Sequence, residues 1–113
     1  GYVWRKYNDP DQYAWELKTP FILMRYAEIL LTYAEAKIEL NQIDGSVTDA
    51  INAVRRRAGQ PATTLTDQAK LRQLVRRERV VEFATEGLRL FDIRRWGIVK
   101  ETLNGPIVGA ALN

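Results

Sequence analysis

The stretch PFILMRYAEILLTYAEAKIEL, residues 20–40, decides the fold. Leu23, Ala27, Leu30, Ala34 and Ile38 return at steps of three and four, the spacing that stacks side chains on one face of an α-helix. A helix is therefore predicted from Pro20 to about Leu40. Beside the apolar stripe runs a polar one, Arg25, Glu28, Thr32, Glu35 and Glu39, which is either a solvated face or one side of a partly buried ion network.

Working outward, Asn41, Asp44 and Gly45 interrupt the pattern, and Ser46 with Asp49 resembles a capping pair for a second helix over 47–58. Val47, Ala50, Ile51 and Val54 form its stripe. Arg55, Arg56 and Arg57 close its last turn, where cations oppose the helix dipole, and Gly59 and Pro61 end it. After a polar loop, Thr66 and Asp67 can cap a third helix of about 20 residues that stops near Gly87. Its apolar positions are Leu71, Leu74, Val75, Val81 and Phe83 with Ala84. A short fourth helix, LRLFDIRRW, offers Leu88, Phe91, Ile93 and Trp96 for burial and an Asp92 to pair with an arginine. Residues 1–20, rich in aromatics and carrying two prolines, show no helical period and read as an extended leader laid over the helices.

Composition narrows the chemistry. The chain has 113 residues, no Cys, no His and a single serine, Ser46. A Ser/His/Asp triad, a Cys/His pair, the usual Zn or Cu sites and a carboxylate-histidine di-iron bundle all lack their side chains, so neither a metal nor another cofactor is expected. The longest apolar run falls far short of the about 20 residues that span a bilayer. Net charge is +3, but residues 55–100 hold 12 Lys/Arg against 5 Asp/Glu, while residues 1–54 hold 5 against 8.

That basic excess has an internal explanation. The third helix offers Glu78, Glu82 and Glu86 beside Arg77, Arg79 and Arg89, matching the polar stripe of the first. Buried carboxylates require partners, and guanidinium forks supply them in bidentate fashion. The network is expected to comprise Arg25, Glu28, Glu35, Arg77, Glu78, Glu82, Glu86, Arg89, Asp92 and Arg95, and removing Glu82 from a desolvated pair should cost roughly 3–5 kcal/mol. A nucleic-acid surface is the other reading of these arginines. The interleaved glutamates would face the same polyanion, and no recognition signature accompanies them, so no nucleic-acid partner is expected. Paired carboxylates at glycosidase spacing are unspecific among so many acids on helix faces, and no enzymatic activity is expected.

Three segments go beyond a generic helical pattern: RYAEILLTYAEAK (25–37), INAVRRRAG (51–59) and RRERVVEFATEGLRLFDIRRWG (76–97). In this order they resemble the C-terminal region of the SusD/RagB family, with Lys6-Tyr7 as a looser match before them. The resemblance implies a surface-exposed outer-membrane lipoprotein that captures a glycan or other nutrient and caps a SusC-like TonB-dependent transporter. In that family the lipid-bearing cysteine lies upstream of this region, so any membrane attachment would run through an anchor that this sequence lacks. The expected fold is all-α: about four helices, a tetratricopeptide-like hairpin plus a long third helix, with the extended aromatic N-terminal leader. Residues 1–113 are expected to form a single helical domain, an excerpt of a larger protein and mainly its scaffold. Tyr13, Trp15 and Trp4 of the leader are the candidate glycan-stacking residues, with packing on the helices as the alternative role. The alternative function is a tetratricopeptide-like protein-interaction module that binds a peptide in its groove.

Overall fold

In the computed structural model, which describes residues 6–7 and 22–105, the described part of the chain is five α-helices without a strand. They are α1 (Tyr26–Glu39), α2 (Gly45–Arg57), α3 (Gln68–Glu82), α4 (Arg89–Arg95) and α5 (Val99–Leu103). The all-α expectation and the hairpin hold. The leader, with Trp4, Tyr13 and Trp15, lies outside the described residues apart from Lys6 and Tyr7.

α1 starts later than its periodicity suggests. Arg25 is extended, at φ −124° and ψ 149°, and Leu23 is 88% exposed, so it does not extend the buried stripe. The reason is Arg25 itself: its side chain is drawn to Glu82 at the end of α3 and to Glu86 in the turn after it. The buried face is set instead by Leu31, Ala34, Glu35 and Ile38. The helix ends where Asn41 adopts a left-handed φ of 55°, a conformation that Asn tolerates better than most residues, and the Gln42 N–H returns to the Lys37 carbonyl at 2.9 Å.

α2 opens on Asp44 rather than on Ser46. The Asp44 carboxylate accepts the Ser46 backbone N–H at 2.9 Å, which satisfies a donor with no helical partner, while Asp49 stays exposed. Gly59, at φ +69°, ends it, with the Gln60 N–H bonded to the Arg55 carbonyl at 2.8 Å. Asn52 then pins the following loop. Its amide donates to the Thr63 carbonyl at 3.0 Å and accepts the Thr63 N–H at 2.7 Å.

α3 opens on Asp67, whose carboxylate accepts the Lys70 N–H at 2.8 Å, and Gln68 reaches across at 2.7 Å to a carbonyl in the last turn of α1, Ile38 O, which also accepts the Asn41 N–H at 3.0 Å. It ends at Glu82 and does not continue to Gly87. Thr85 adopts φ 70°, and the carbonyls released at this end find side-chain donors from Lys6 and Arg25. Val81 points outward from this helix. In α4 only Asp92 and Ile93 are buried, while Phe91 is exposed; seven residues make two turns and cover one narrow strip.

The core joins Leu31, Ala34 and Ile38 of α1 to Val47, Ala50, Ile51 and Val54 of α2, and to Leu71, Val75 and Phe83. α1 is central: it packs on both α2 and α3, which meet each other only slightly. Among the described residues no helix is long and apolar enough to cross a membrane. α5, Val99–Leu103, is a fifth short helix beyond the about four expected.

Candidate functional site

Two ion clusters fasten the hairpin to the second half of the chain, and one aromatic ring separates them. In the first, the Arg25 guanidinium takes Glu86 in bidentate fashion, Nε to Oε2 at 3.0 Å and Nη2 to Oε1 at 2.7 Å. It also donates to Glu82 Oε1 at 2.7 Å and to the Glu82 carbonyl at 3.0 Å. Arg57 binds the other Glu82 oxygen. Lys6 adds its ammonium to the Glu86 carboxylate, to the Glu82 carbonyl at 2.6 Å and to the Ala84 carbonyl at 3.3 Å.

In the second cluster, Arg79 lies against Asp92 in bidentate contact and donates to Thr32 Oγ1 at 3.1 Å. Arg95 places its fork on Glu35 at 2.7 and 2.6 Å and bonds Asp92 Oδ1 at 2.9 Å. The Trp96 indole N–H completes the shell of Glu35 at 2.6 Å. Glu35 is 5% and Asp92 3% exposed. Two buried carboxylates thus face two guanidinium groups, and the desolvation each carboxylate suffers is offset by several charge-assisted bonds. The buried Phe83 ring lies between the clusters, with Arg25 at 5.3 Å and Arg79 at 5.2 Å from its centroid.

These surroundings lower one proton affinity and raise two. Burial alone would raise the Glu86 carboxyl, but hydrogen bonds from Arg25, Lys6 and Tyr7 outweigh it and hold the group below the usual carboxylate range. Hydrogen bonds to Glu86 and Glu82 likewise push the Arg25 guanidinium further up, against its partial burial. Burial and the Glu86 carboxylate raise the Tyr7 phenol. The ionised Glu86 and Arg25 and the neutral Tyr7 phenol are the forms the first cluster needs.

The expected network members fall into three groups. Arg25, Glu82 and Glu86 meet in the first cluster, and Glu35, Asp92 and Arg95 in the second. Glu78 pairs elsewhere, with Arg55 of α2. Glu28 and Arg77 make no ion pair among the described residues, and Arg89 makes none either but lies 5.8 Å from the Trp96 ring centroid. Helical rotation explains Arg77: at about 100° per residue it points away from the side that carries Glu78 and Glu82. Trp96 is not a core plug. It is half-buried, flanked by Arg76 at 4.9 Å and Arg95 at 5.0 Å from its centroid. Arg57 and Lys6 were missed as cluster members, and Arg79, noted beside the carboxylates, was not counted among the expected members although it centres the second cluster. A cation at a helix C-terminus already has a local role, so nothing in the order of residues pointed Arg57 at Glu82.

Beside the first cluster, a cleft of about 390 Å³ opens between the start of α1 and the end of α2. Ala27, Leu30, Ala53 and Val54 floor it, and Arg57 and Glu82 edge it. Among the described residues no group of three or more acidic side chains is arranged to hold a metal ion.

The architecture is all-α, a tetratricopeptide-like hairpin joined to a following helical segment by arginine-carboxylate clusters. The chain belongs to the SusD family, whose family model matches residues 1–111. It is 33% identical over 99 residues to a SusD-like protein of Formosa agariphila, a match that covers 80% of this chain and 19% of the relative. It is also similar to the crystal structure of a SusD-like protein from Bacteroides fragilis, with a TM-score of 0.65 and 46% identity over 69% of this chain and 15% of that one. The chain therefore spans under one-fifth of the length of either.

Proposed function

We propose that this chain is the helical scaffold of a longer, non-catalytic protein that captures a glycan or other nutrient at the cell surface. Its partner would be a SusC-like TonB-dependent transporter in the outer membrane, with attachment through a lipid anchor outside these residues. Membership of the SusD family supports the capture role. The observation that carries the scaffold role is the saturation of the buried charges: Glu35, Glu82 and Asp92 all have their oxygens bound by side chains of the same chain. Groups committed in this way hold elements together and are not available to bind a ligand or transfer protons.

The leader aromatics Trp4, Tyr13 and Trp15 are proposed as glycan-stacking residues, since flat ring faces bury well against sugar rings. Calorimetry of the longer protein with a panel of oligosaccharides tests both parts. Binding by the longer protein, weakened by Trp15→Ala and absent from the 113-residue chain alone, is the expected result. Full affinity in the short chain would overturn the scaffold role, and affinity unchanged by Trp15→Ala would remove the stacking role.

A further inference from the structure

Three asparagines, Asn41, Asn52 and Asn104, fall among the described residues, and their side-chain amides are restrained to very different degrees. Asn52 is locked. Its amide donates to the Thr63 carbonyl at 3.0 Å and accepts the Thr63 N–H at 2.7 Å, and the next residue, Ala53, continues α2. The Asn41 side chain is exposed, but the backbone N–H that follows it, that of Gln42, is bonded to the Lys37 carbonyl at 2.9 Å. Asn104 has neither restraint. It caps the end of α5 at φ −82° and ψ −1°, is exposed, and its amide makes no hydrogen bond among the described residues. Gly105 follows it. The Gly105 N–H makes no backbone hydrogen bond among the described residues, and a Cβ placed on Gly105 would meet nothing within 4 Å, so the space around this peptide is open.

A free backbone nitrogen next to an asparagine amide is a nucleophile beside an electrophile. Gly105 N attacks Asn104 Cγ, the Cγ–Nδ2 bond breaks, and the amide nitrogen leaves as ammonia with the proton that Gly105 N gives up. The product is a succinimide ring. Water then adds to either ring carbonyl: opening at Cγ gives aspartate, and opening at the backbone carbonyl gives isoaspartate, in which the chain runs through Cβ and Cγ. Water is the single co-reactant, and nothing is oxidised or reduced. Ring closure requires a rotation about ψ of Asn104, which a glycine at the next position permits better than any other residue. The bond that ties Asn104 to α5, its own N–H to the Lys100 carbonyl at 3.2 Å, is untouched by that rotation.

We propose that Asn104 is a site of spontaneous deamidation by Gly105, which converts the end of α5 to a mixture of isoaspartate and aspartate. The product acts on the helix. A new carboxylate there faces the negative end of the helix dipole, and isoaspartate adds a methylene to the backbone where the last turn closes. α5 has five residues and none of them is buried, so little else holds it, and it loosens. The formal net charge of +3 falls by one. Asp44-Gly45, the corresponding acidic pair, escapes this chemistry. Hydrogen bonds from Lys37 and Ser46 hold the Asp44 carboxyl well below its usual range, and an ionised carboxylate is a poor target for a nucleophile.

The test uses the protein in the full form that its gene encodes, held at physiological temperature and mildly alkaline pH while its peptides are followed by mass spectrometry. Asn104 should turn to acid at least about tenfold faster than Asn41 and Asn52, whose local structure must open first, with isoaspartate in excess of aspartate. Gly105→Ala, which the open space accommodates, should slow the conversion by about tenfold or more. Hydrogen exchange of residues 99–103 should quicken as the product accumulates. An Asn104 amide that outlasts those of Asn41 or Asn52 overturns the proposal. A rate indifferent to Gly105→Ala, or aspartate formed without isoaspartate, overturns it as well, since either marks direct hydrolysis in place of attack by the backbone. Unchanged exchange in the modified protein overturns the effect on α5.

Discussion

Arg79 meets Asp92 through two parallel hydrogen bonds, Nε to Oδ2 at 3.0 Å and Nη2 to Oδ1 at 3.1 Å, with both side chains almost fully buried. The pair links α3 to α4, and through Thr32 it reaches α1 as well. Asp92→Ala would leave the buried Arg79 guanidinium with only Thr32 and a longer 3.7 Å contact to Glu35, and the expected loss of stability is about 3–5 kcal/mol in urea melts. Replacing both partners together, Arg79→Met with Asp92→Leu, should recover most of that loss, because no buried charge is left unpaired. A single-mutant loss below about 0.5 kcal/mol, the range of exposed sites, would show that the pair is not desolvated in solution.

Glu82→Ala should be milder than a lone buried pair would suggest. Arg25 keeps its two bonds to Glu86 when Glu82 is gone, and Arg57 is 63% exposed and regains water. A cost of about 1–3 kcal/mol is expected, near that of an unsatisfied buried hydrogen-bonding group. Glu82→Ala combined with Glu86→Ala should then cost more than the sum of the single changes, because only the double variant leaves Arg25 without a carboxylate.

Glu86 makes the fold sensitive to acid. Its carboxyl lies below its ordinary value of 4.5 in the folded protein, so the folded state favours the charged form. The stabilisation is present in full above the unfolded value and is lost as pH falls from about 4.5 through the folded value. Glu86→Gln, melted in urea across that range, should narrow its stability gap to the parent as the pH drops. A gap that stays constant between neutral and acid pH would contradict the ionised clamp.

The turn after α3 contains two left-handed residues of unequal tolerance. Thr85 holds φ 70° and Gly87 φ 79°, and a Cβ placed on Gly87 would meet nothing within 4 Å. Gly87→Ala should therefore cost about 1–2 kcal/mol through backbone strain alone. Thr85→Gly should stabilise by up to about 1 kcal/mol, since a branched side chain is disfavoured at positive φ. Thermal melts of the two variants moving in opposite directions would bear this out, and Thr85→Gly lowering the melting temperature would refute it.

Periodicity and local caps carried much of the fold. The three- and four-residue steps in α1, α2 and α3 reflect a physical demand, one face against a core, and Asp67 and Gly59 sit where a helix must satisfy its loose ends. The start of α1 was not legible, because Arg25 leaves the helical path for Glu82 and Glu86, more than fifty positions away. Nor was the end of α3, where Lys6 and Arg25 replace helical donors from a distance.

What the sequence determined by itself is the all-helical class, the hairpin, and an interior that must hold carboxylates with arginines, since the segments 25–37, 51–59 and 76–97 carry these residues at helical spacing. Which arginine meets which carboxylate was decided only by the tertiary structure. Local spacing offers Glu78 and Glu82 several guanidinium groups at similar distance, so propensity cannot choose among them. The choice falls to packing: Phe83, driven into the core, separates Arg25 from Arg79, and the chain turn at Thr85 carries Glu86 to one cluster and Asp92 to the other.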